Sequence, residues 1–291
     1  MTDKIIRAMD NQGLIRAFVA SADELVSEAC ERHETWSASS VALGRMLVGT
    51  LLLGENLKGR DKLIVKMVGN GSGGAIVAES NANGEVKGYI QNPFVDLKNT
   101  KTGEVFVRQA TGNVGQFIVI KDMGLKTPYT GQIPFVTGEI GEEFTYYLME
   151  SEQTPSSVGL TVKLDMEDRV QTAGGFMVQV LPGASEDTIA FIEERIQKMP
   201  ALSQLLKDEG TDGVLDALFT KGNYRILEEK PVRFKCDCSK EKFSRGIATL
   251  PKKEIEAMIE EDGQAEIVCH FCKNKYIFNK AELEEIAENF S

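Results

Sequence analysis

The chain has 291 residues, of which 42% are hydrophobic and 26% charged, and a formal net charge of −11. That length exceeds a single small core and suits two domains or one large domain with an appendage, and the composition excludes a disordered or fibrous chain. So acidic a surface repels phosphate backbones and anionic membranes, so nucleic-acid binding would require a strongly local basic patch.

Residues 4–9 and 14–20 are short β-type runs joined through Asn11-Gln-Gly13, which predicts a hairpin. Ser21 with Glu24 three residues on reads as a capping box opening a helix through about residue 33. A second helix is expected over 39–57, where Leu43, Leu47, Thr50, Leu51 and Gly54 fall close to helical spacing. Its apolar run, 41–54, is interrupted by Arg45 and is shorter than the roughly twenty residues of a membrane span, which suits a buried helix. From 61 to about 123 the texture turns to strands between Gly/Asn turns, at 62–68, 75–80, 86–90, 105–109 and 116–121. Their regular spacing predicts an antiparallel sheet. A helix at 139–149 and strands at 158–165 and 175–181 complete an α+β body, 1–180, with helices laid over one sheet.

A helical linker, 181–231, follows. Ser185 and nearby acids open a helix with Ile189, Ile192, Ile196 and Met199 in one apolar stripe, ended by Pro200. Short helices at 201–207 and 213–219 flank Glu209-Gly-Thr-Asp-Gly213. Helices this short cannot bury their apolar faces on one another, so the linker is expected to lie on the body. A small C-terminal domain, 232–291, reads as helices at 239–250 and 251–261, a hairpin of 264–269 and 275–278, and a last helix opened by Asn279 with Glu282.

Four of the five cysteines lie in that domain, as Cys236-Asp-Cys238 and Cys269-His-Phe-Cys272. Two close thiol pairs separated by about thirty residues are how a chain wraps a tetrahedral zinc ion, one pair to each edge. The alternatives are four unrelated buried cysteines or a constitutive disulfide pair. Four thiolates close a zinc site against substrate, so the site reads as structural, with one Zn²⁺ per chain. His270, beside Cys269, could compete as a ligand, but with four cysteines available its simpler role is an exposed turn residue. A domain of this size has a thin core, so the metal would carry much of its folding. Whether such a module cycles between metal-bound and oxidised forms, or stays constitutively loaded, is left open by the spacing.

Other motifs carry less. The Gly69–Gly74 run lacks the Gly-Lys-Ser/Thr ending of a P-loop and suits a hairpin turn. Cys30, three residues before His33, suits a small apolar filler better than a nucleophile. Two histidines assemble no hydrolase constellation, and no enzyme is expected. Lys235, Lys240, Lys242, Arg245, Lys273 and Lys275 surround the cysteines as in a nucleic-acid-binding zinc ribbon, yet 10 basic residues meet 12 acidic ones over 232–291. A zinc ribbon bound to nucleic acid or ribosome is therefore the second reading, and a thiol oxidoreductase using Cys269 and Cys272 the third. The opening Met-Thr-Asp-Lys lacks the apolar core of a secretory leader, so a cytoplasmic, thiol-reducing location is expected.

The cysteine spacing at the end of an acidic chain of this length resembles the heat-shock protein 33 family of redox-regulated holdase chaperones. So do Ile-Arg-Ala-Met in the first hairpin, the Gly-rich run at 69–74, Pro-Tyr-Thr-Gly-Gln at 128–132, and Phe234-Lys-Cys236-Asp-Cys238-Ser-Lys-Glu-Lys-Phe243. The resemblance implies zinc on Cys236, Cys238, Cys269 and Cys272 in an inactive reduced state. It implies that oxidation joins Cys236 with Cys238 and Cys269 with Cys272, expelling the metal and unfolding the zinc domain and linker. Unfolded client proteins would then be held on the body without ATP. A homodimer formed through the body is also implied, while the acidic surface and the short apolar run leave neither nucleic acid nor membrane expected as a partner. Bridges enclosing one and two residues hold nothing distant together, so such oxidation would leave no cross-link in the metal's place.

Overall fold

The computed structural model describes residues 2–99 and 105–289. The chain divides into two compact units, Met1–Lys235 and Cys236–Ser291.

The first unit opens with the hairpin of β1 (Lys4–Asp10) and β2 (Ile15–Ser21), followed by α1 (Asp23–His33) and α2 (Ser37–Gly54). A meander of β3 (Lys62–Gly69), β4 (Ala75–Asn81) and β5 (Glu85–Ile90) leads to the short α3 (Val107–Thr111), then β6 (Gly115–Asp122) and β7 (Tyr129–Pro134). After α4 (Ile140–Glu150) come β8 (Ser156–Leu164) and β9 (Val170–Val180), then α5 (Glu186–Gln197), α6 (Leu202–Phe219), β10 (Tyr224–Pro231) and β11 (Arg233–Phe234).

The fold is α+β, as the sequence predicts, but its strands form two sheets in this unit instead of one. The five-stranded sheet has the order β10-β1-β2-β9-β8 and the six-stranded sheet β11-β5-β4-β3-β6-β7. All pairs are antiparallel except β11 with β5. The strands at 158–165 and 175–181 thus return to the N-terminal hairpin and not to the meander.

Helix α2 lies between the two sheets, and every residue in it except Arg45 is buried. It has the length and composition of a membrane span but is 94% enclosed by its own fold, as a core helix is. The helix exceeds the apolar run because it starts at Ser37. Its glycines allow this depth: a Cβ at Gly49 would stand 2.3 Å from the Phe144 ring. Consecutive glycines of β9 mark the layers, since a Cβ at Gly174 would meet Leu206 of α6 and one at Gly175 would meet Val48 of α2. The order of layers is therefore α6, five-stranded sheet, α2, six-stranded sheet.

The linker helices pack as their stripes predict. Ile192 of α5 and Leu205, Leu206, Val214, Leu215, Leu218 and Phe219 of α6 form one core with Ile6, Ala8, Ile15, Ala17, Val19, Phe176 and Val178 of the sheet. Ser185 caps α5 by accepting from the Thr188 amide. The two short helices expected at 201–207 and 213–219 are the halves of α6, broken at Gly210 (φ 66°, ψ −157°).

Three other differences have identifiable physical causes. The cap of α1 is Asp3, not Ser21: its carboxylate accepts from the amides of Leu25 (2.7 Å) and Glu24 (3.3 Å) while Ser21 ends β2. Residues 105–109 do not form a strand: Val105 makes one isolated bridge with Lys98, and α3 begins at Val107. Strands β7 and β10 escape the pattern because both are exposed edges, where apolar alternation is not required.

The second unit contains α7 (Lys240–Ile247), α8 (Lys252–Glu261), the hairpin of β12 (Gln264–Val268) and β13 (Lys275–Asn279), and α9 (Lys280–Asn289). The expected capping box is formed: the Glu282 carboxylate accepts from the Asn279 amide (2.9 Å), and Asn279 Oδ1 accepts from the Glu282 amide (3.0 Å). The core is thin, with Ile247, Ile255, Phe278, Leu283 and Ile286 as its buried members.

Candidate metal centre

Cys236 and Cys238 lie between β11 and α7, just before Ser239, whose Oγ caps α7 by accepting from the Lys242 amide. Cys269 and Cys272 lie in the turn of the β12–β13 hairpin. The Cys269 amide donates to Asn274 O (2.9 Å) and the Lys273 amide to Cys269 O (2.8 Å). Closing so tight a turn puts Lys273 in the left-handed region, at φ 61°. The hairpin register, Val268 opposite Lys275, fixes where the turn begins.

Folding brings all four sulfurs within 4.8 Å of one another. Cys236 Sγ is 3.8 Å from Cys269 Sγ, and Cys238 Sγ is 3.4 Å from Cys272 Sγ. A tetrahedron with Zn–S bonds of about 2.3 Å has edges of about 3.8 Å, so the four residues fit a zinc ion. Cys269 and Cys272 are buried and the other two half-buried. His270 is exposed and outside the cluster.

The thiols differ in how readily they ionise. Burial pushes Cys236 up and Cys272 up to about 11, although the Cys236 sulfur accepts from the Cys238 amide and the Cys272 sulfur from the Asn274 amide. Burial opposes ionisation of Cys238 too, yet hydrogen bonds from Tyr276 and Cys272 hold it below the ordinary thiol value. A divalent ion at the centre favours the thiolate at every corner.

The surrounding charges are mostly neutralised. Lys235 pairs with Glu85 (2.6 Å), Lys240 with Glu282 (2.6 Å), Lys242 with Asp237 (2.7 Å) and Lys275 with Glu266 (3.2 Å). The other sequence candidates stay apart from the cluster. Cys30 is half-buried in α1, where burial raises its thiol pKa and its Sγ lies 3.9 Å from Ser40 O. The Gly-rich run turns between β3 and β4, and a Cβ at Gly69 would stand 2.0 Å from Thr111 O.

Tyr276 was not singled out from the sequence. Its Oη lies 3.1 Å from Cys238 Sγ and 3.2 Å from Cys238 O, and only folding brings these residues, 38 positions apart, together.

A sequence profile of the Hsp33 protein family matches residues 3–279. The chain belongs to the Hsp33 family. It is 53% identical over 289 residues to a 33 kDa chaperonin of Enterococcus faecalis, covering 99% of this chain and 97% of that one. It is 52% identical over 285 residues to a 33 kDa chaperonin of Streptococcus pyogenes serotype M1, covering 98% of each. The fold matches the crystal structure of the 33 kDa chaperonin (heat shock protein 33 homolog) of Thermotoga maritima, with TM-score 0.91 and 34% identity over 99% of this chain and 98% of that one. Hsp33 membership supports a chaperone as the class of function. Among the described residues, the cysteine cluster is the group in this Hsp33 chain that could hold a metal ion.

Proposed function

We propose that the protein is a redox-regulated, ATP-independent holdase, kept inactive by one zinc ion on Cys236, Cys238, Cys269 and Cys272. The observation that carries this reading is the near-tetrahedral sulfur cluster joining two distant segments of a module with few buried apolar side chains. Zinc, when bound, supplies that cross-link and roughly 10–16 kcal/mol of free energy that is also folding free energy.

Oxidation by a peroxide joins Cys236 with Cys238 and Cys269 with Cys272. In each pair one thiolate attacks the peroxide, whose O–O bond breaks as an S–O bond forms, and the second thiolate then forms the S–S bond by displacing hydroxide, so that two thiolates lose the two electrons the peroxide gains. All four ligands are lost, and the bridges that replace them are local. The module then unfolds and takes the linker with it. α5 is lightly held in that linker, with Ile192 as its one buried residue. Departure of α5 and α6 uncovers the sheet residues Ile6, Ala8, Ala17, Val19, Phe176 and Val178, an apolar face for unfolded chains. The working partners are unfolded proteins and a second copy of the chain, in the cytoplasm, without nucleic acid or membrane.

Peroxide with mild heat is expected to release about one zinc per chain and to make the protein suppress light scattering by an unfolding client. Zinc release without any effect on the client would overturn the holdase reading. A preparation without zinc would overturn the metal site.

A further inference from the structure

Tyr276 is the second residue of β13, opposite Ile267, and its ring packs against Phe243 of α7 with centroids 5.0 Å apart. These contacts set its hydroxyl between the sulfur of Cys238, at 3.1 Å, and the carbonyl oxygen of the same residue, at 3.2 Å. A phenol has one proton to donate, and a carbonyl accepts only. With Cys238 ionised as a ligand, the sulfur has no proton either, so the tyrosine is the donor to both. Its hydrogen bond therefore falls on one ligand of the four and holds that ligand by main chain and side chain together.

We infer that Tyr276 is a positioning residue of the redox switch: its hydroxyl fixes the Cys238 sulfur and, by drawing on its lone pairs, slows attack of that sulfur on an oxidant. The inference rests on the zinc reading above. The step it retards is the displacement in which the Cys238 sulfur forms an S–O bond with a hydroperoxide, the O–O bond breaks and hydroxide or alkoxide leaves. The Cys236 thiolate then attacks the oxidised sulfur, an S–S bond forms and hydroxide leaves. Two thiolates lose two electrons and the peroxide gains them. A hydrogen bond to the attacking lone pair must weaken as the S–O bond forms, so it stabilises the resting thiolate more than the transition state.

The test uses the full-length, reduced, zinc-loaded chain and reads each cysteine separately, by the rate of alkylation with iodoacetamide followed by peptide mass spectrometry. Tyr276→Phe keeps the ring against Phe243 and removes only the hydroxyl. Cys238 is expected to react about tenfold faster, the effect of losing one hydrogen bond to a charged group, while Cys269 stays within about twofold. Peroxide-driven zinc release is expected to accelerate with it. A fluorinated tyrosine at position 276, a stronger donor in the same ring, is expected to slow Cys238 and guards against a variant that fails to fold. Equal acceleration at all four cysteines would mean a merely structural tyrosine, and an unchanged Cys238 would mean no role in reactivity. Either outcome overturns the inference and leaves the zinc reading intact, whereas a wild-type chain without zinc overturns both.

Discussion

The two units solve the problem of staying folded in different ways. In the first, α2 is buried along its whole length except at Arg45, between two sheets and under a further layer of helix. In the second, five buried apolar side chains serve a module of two short helices, a hairpin and a last helix. Apolar burial is deep in the first and thin in the second, where four thiols collect at one point. A region held by burial is insensitive to redox state. A region held by thiolates can be dismantled by anything that removes two electrons from a thiol pair.

The largest effect expected from this contrast follows removal of one corner of the cluster. Cys269→Ser should abolish zinc binding and cost the second unit on the order of 10 kcal/mol, unfolding it. Zinc content and limited proteolysis report this, and the first unit should keep its own thermal transition. Loss of both transitions together would erase the distinction between the units.

Next comes the apolar seal over the five-stranded sheet. Leu218 is fully buried, and Leu218→Ala should cost about 3 kcal/mol in denaturant unfolding, loosening α6 from the sheet. Under the holdase reading this variant suppresses client aggregation while reduced and zinc-loaded. A destabilised but inactive variant would separate the seal from the function.

Acid should reach the first unit through Asp3. Burial raises its carboxyl to about 6 against the opposing amides of Leu25 and Glu24, and the nearby charges of Asp23 and Glu24 add to the rise. Because the folded value lies above the unfolded one, the folded chain binds the extra proton between about pH 4 and 6, and Asp3 contributes less stability as pH rises through that window. The thermal midpoint of Asp3→Asn should therefore gain on wild type as pH passes from 4 to 7. A constant difference would show that the carboxyl titrates normally.

The smallest effect belongs to the ion pairs that fasten the end of the linker. Lys4 with Glu229, Arg7 with Glu228, and Glu85 with Arg233 and Lys235 tie residues 228–235 to the rest of the first unit. Exposed pairs of this kind contribute about 0.2–1 kcal/mol each and are screened by salt. Glu85→Gln, or wild type in 0.5 M rather than about 0.1 M salt, should raise the rate of peroxide-triggered zinc release by about twofold. An unchanged rate would place the opening step elsewhere in the linker.

The parts legible in the sequence are those whose chemistry is local. The capping box of Asn279 and Glu282, the stripe of α5 and the two thiol pairs are spacings of a few residues, and folding leaves them as written. The illegible parts depend on distant partners. Asp3 caps a helix twenty positions on, β9 joins the N-terminal hairpin, and Tyr276 meets Cys238 only across the folded module. Edge strands β7 and β10 bury too little for alternation to mark them, and the short α3 is too brief for a helical period.

Strand β10 carries one lysine, Lys230, that reaches inward. Its Nζ stands 2.8 Å from Glu55 Oε1 at the end of α2 and gives a hydrogen bond to Ala82 O (2.8 Å). The Glu55 side chain is only 3% exposed, and burial already pushes its carboxyl pKa upward. If β10 peels away, that carboxylate must take up a proton or draw water into the end of the core. Partial fraying of the strand leaves this ion still to be dealt with, so under the holdase reading the last segment before the cysteines would detach as a unit or stay, converting a graded dose of oxidant into a threshold.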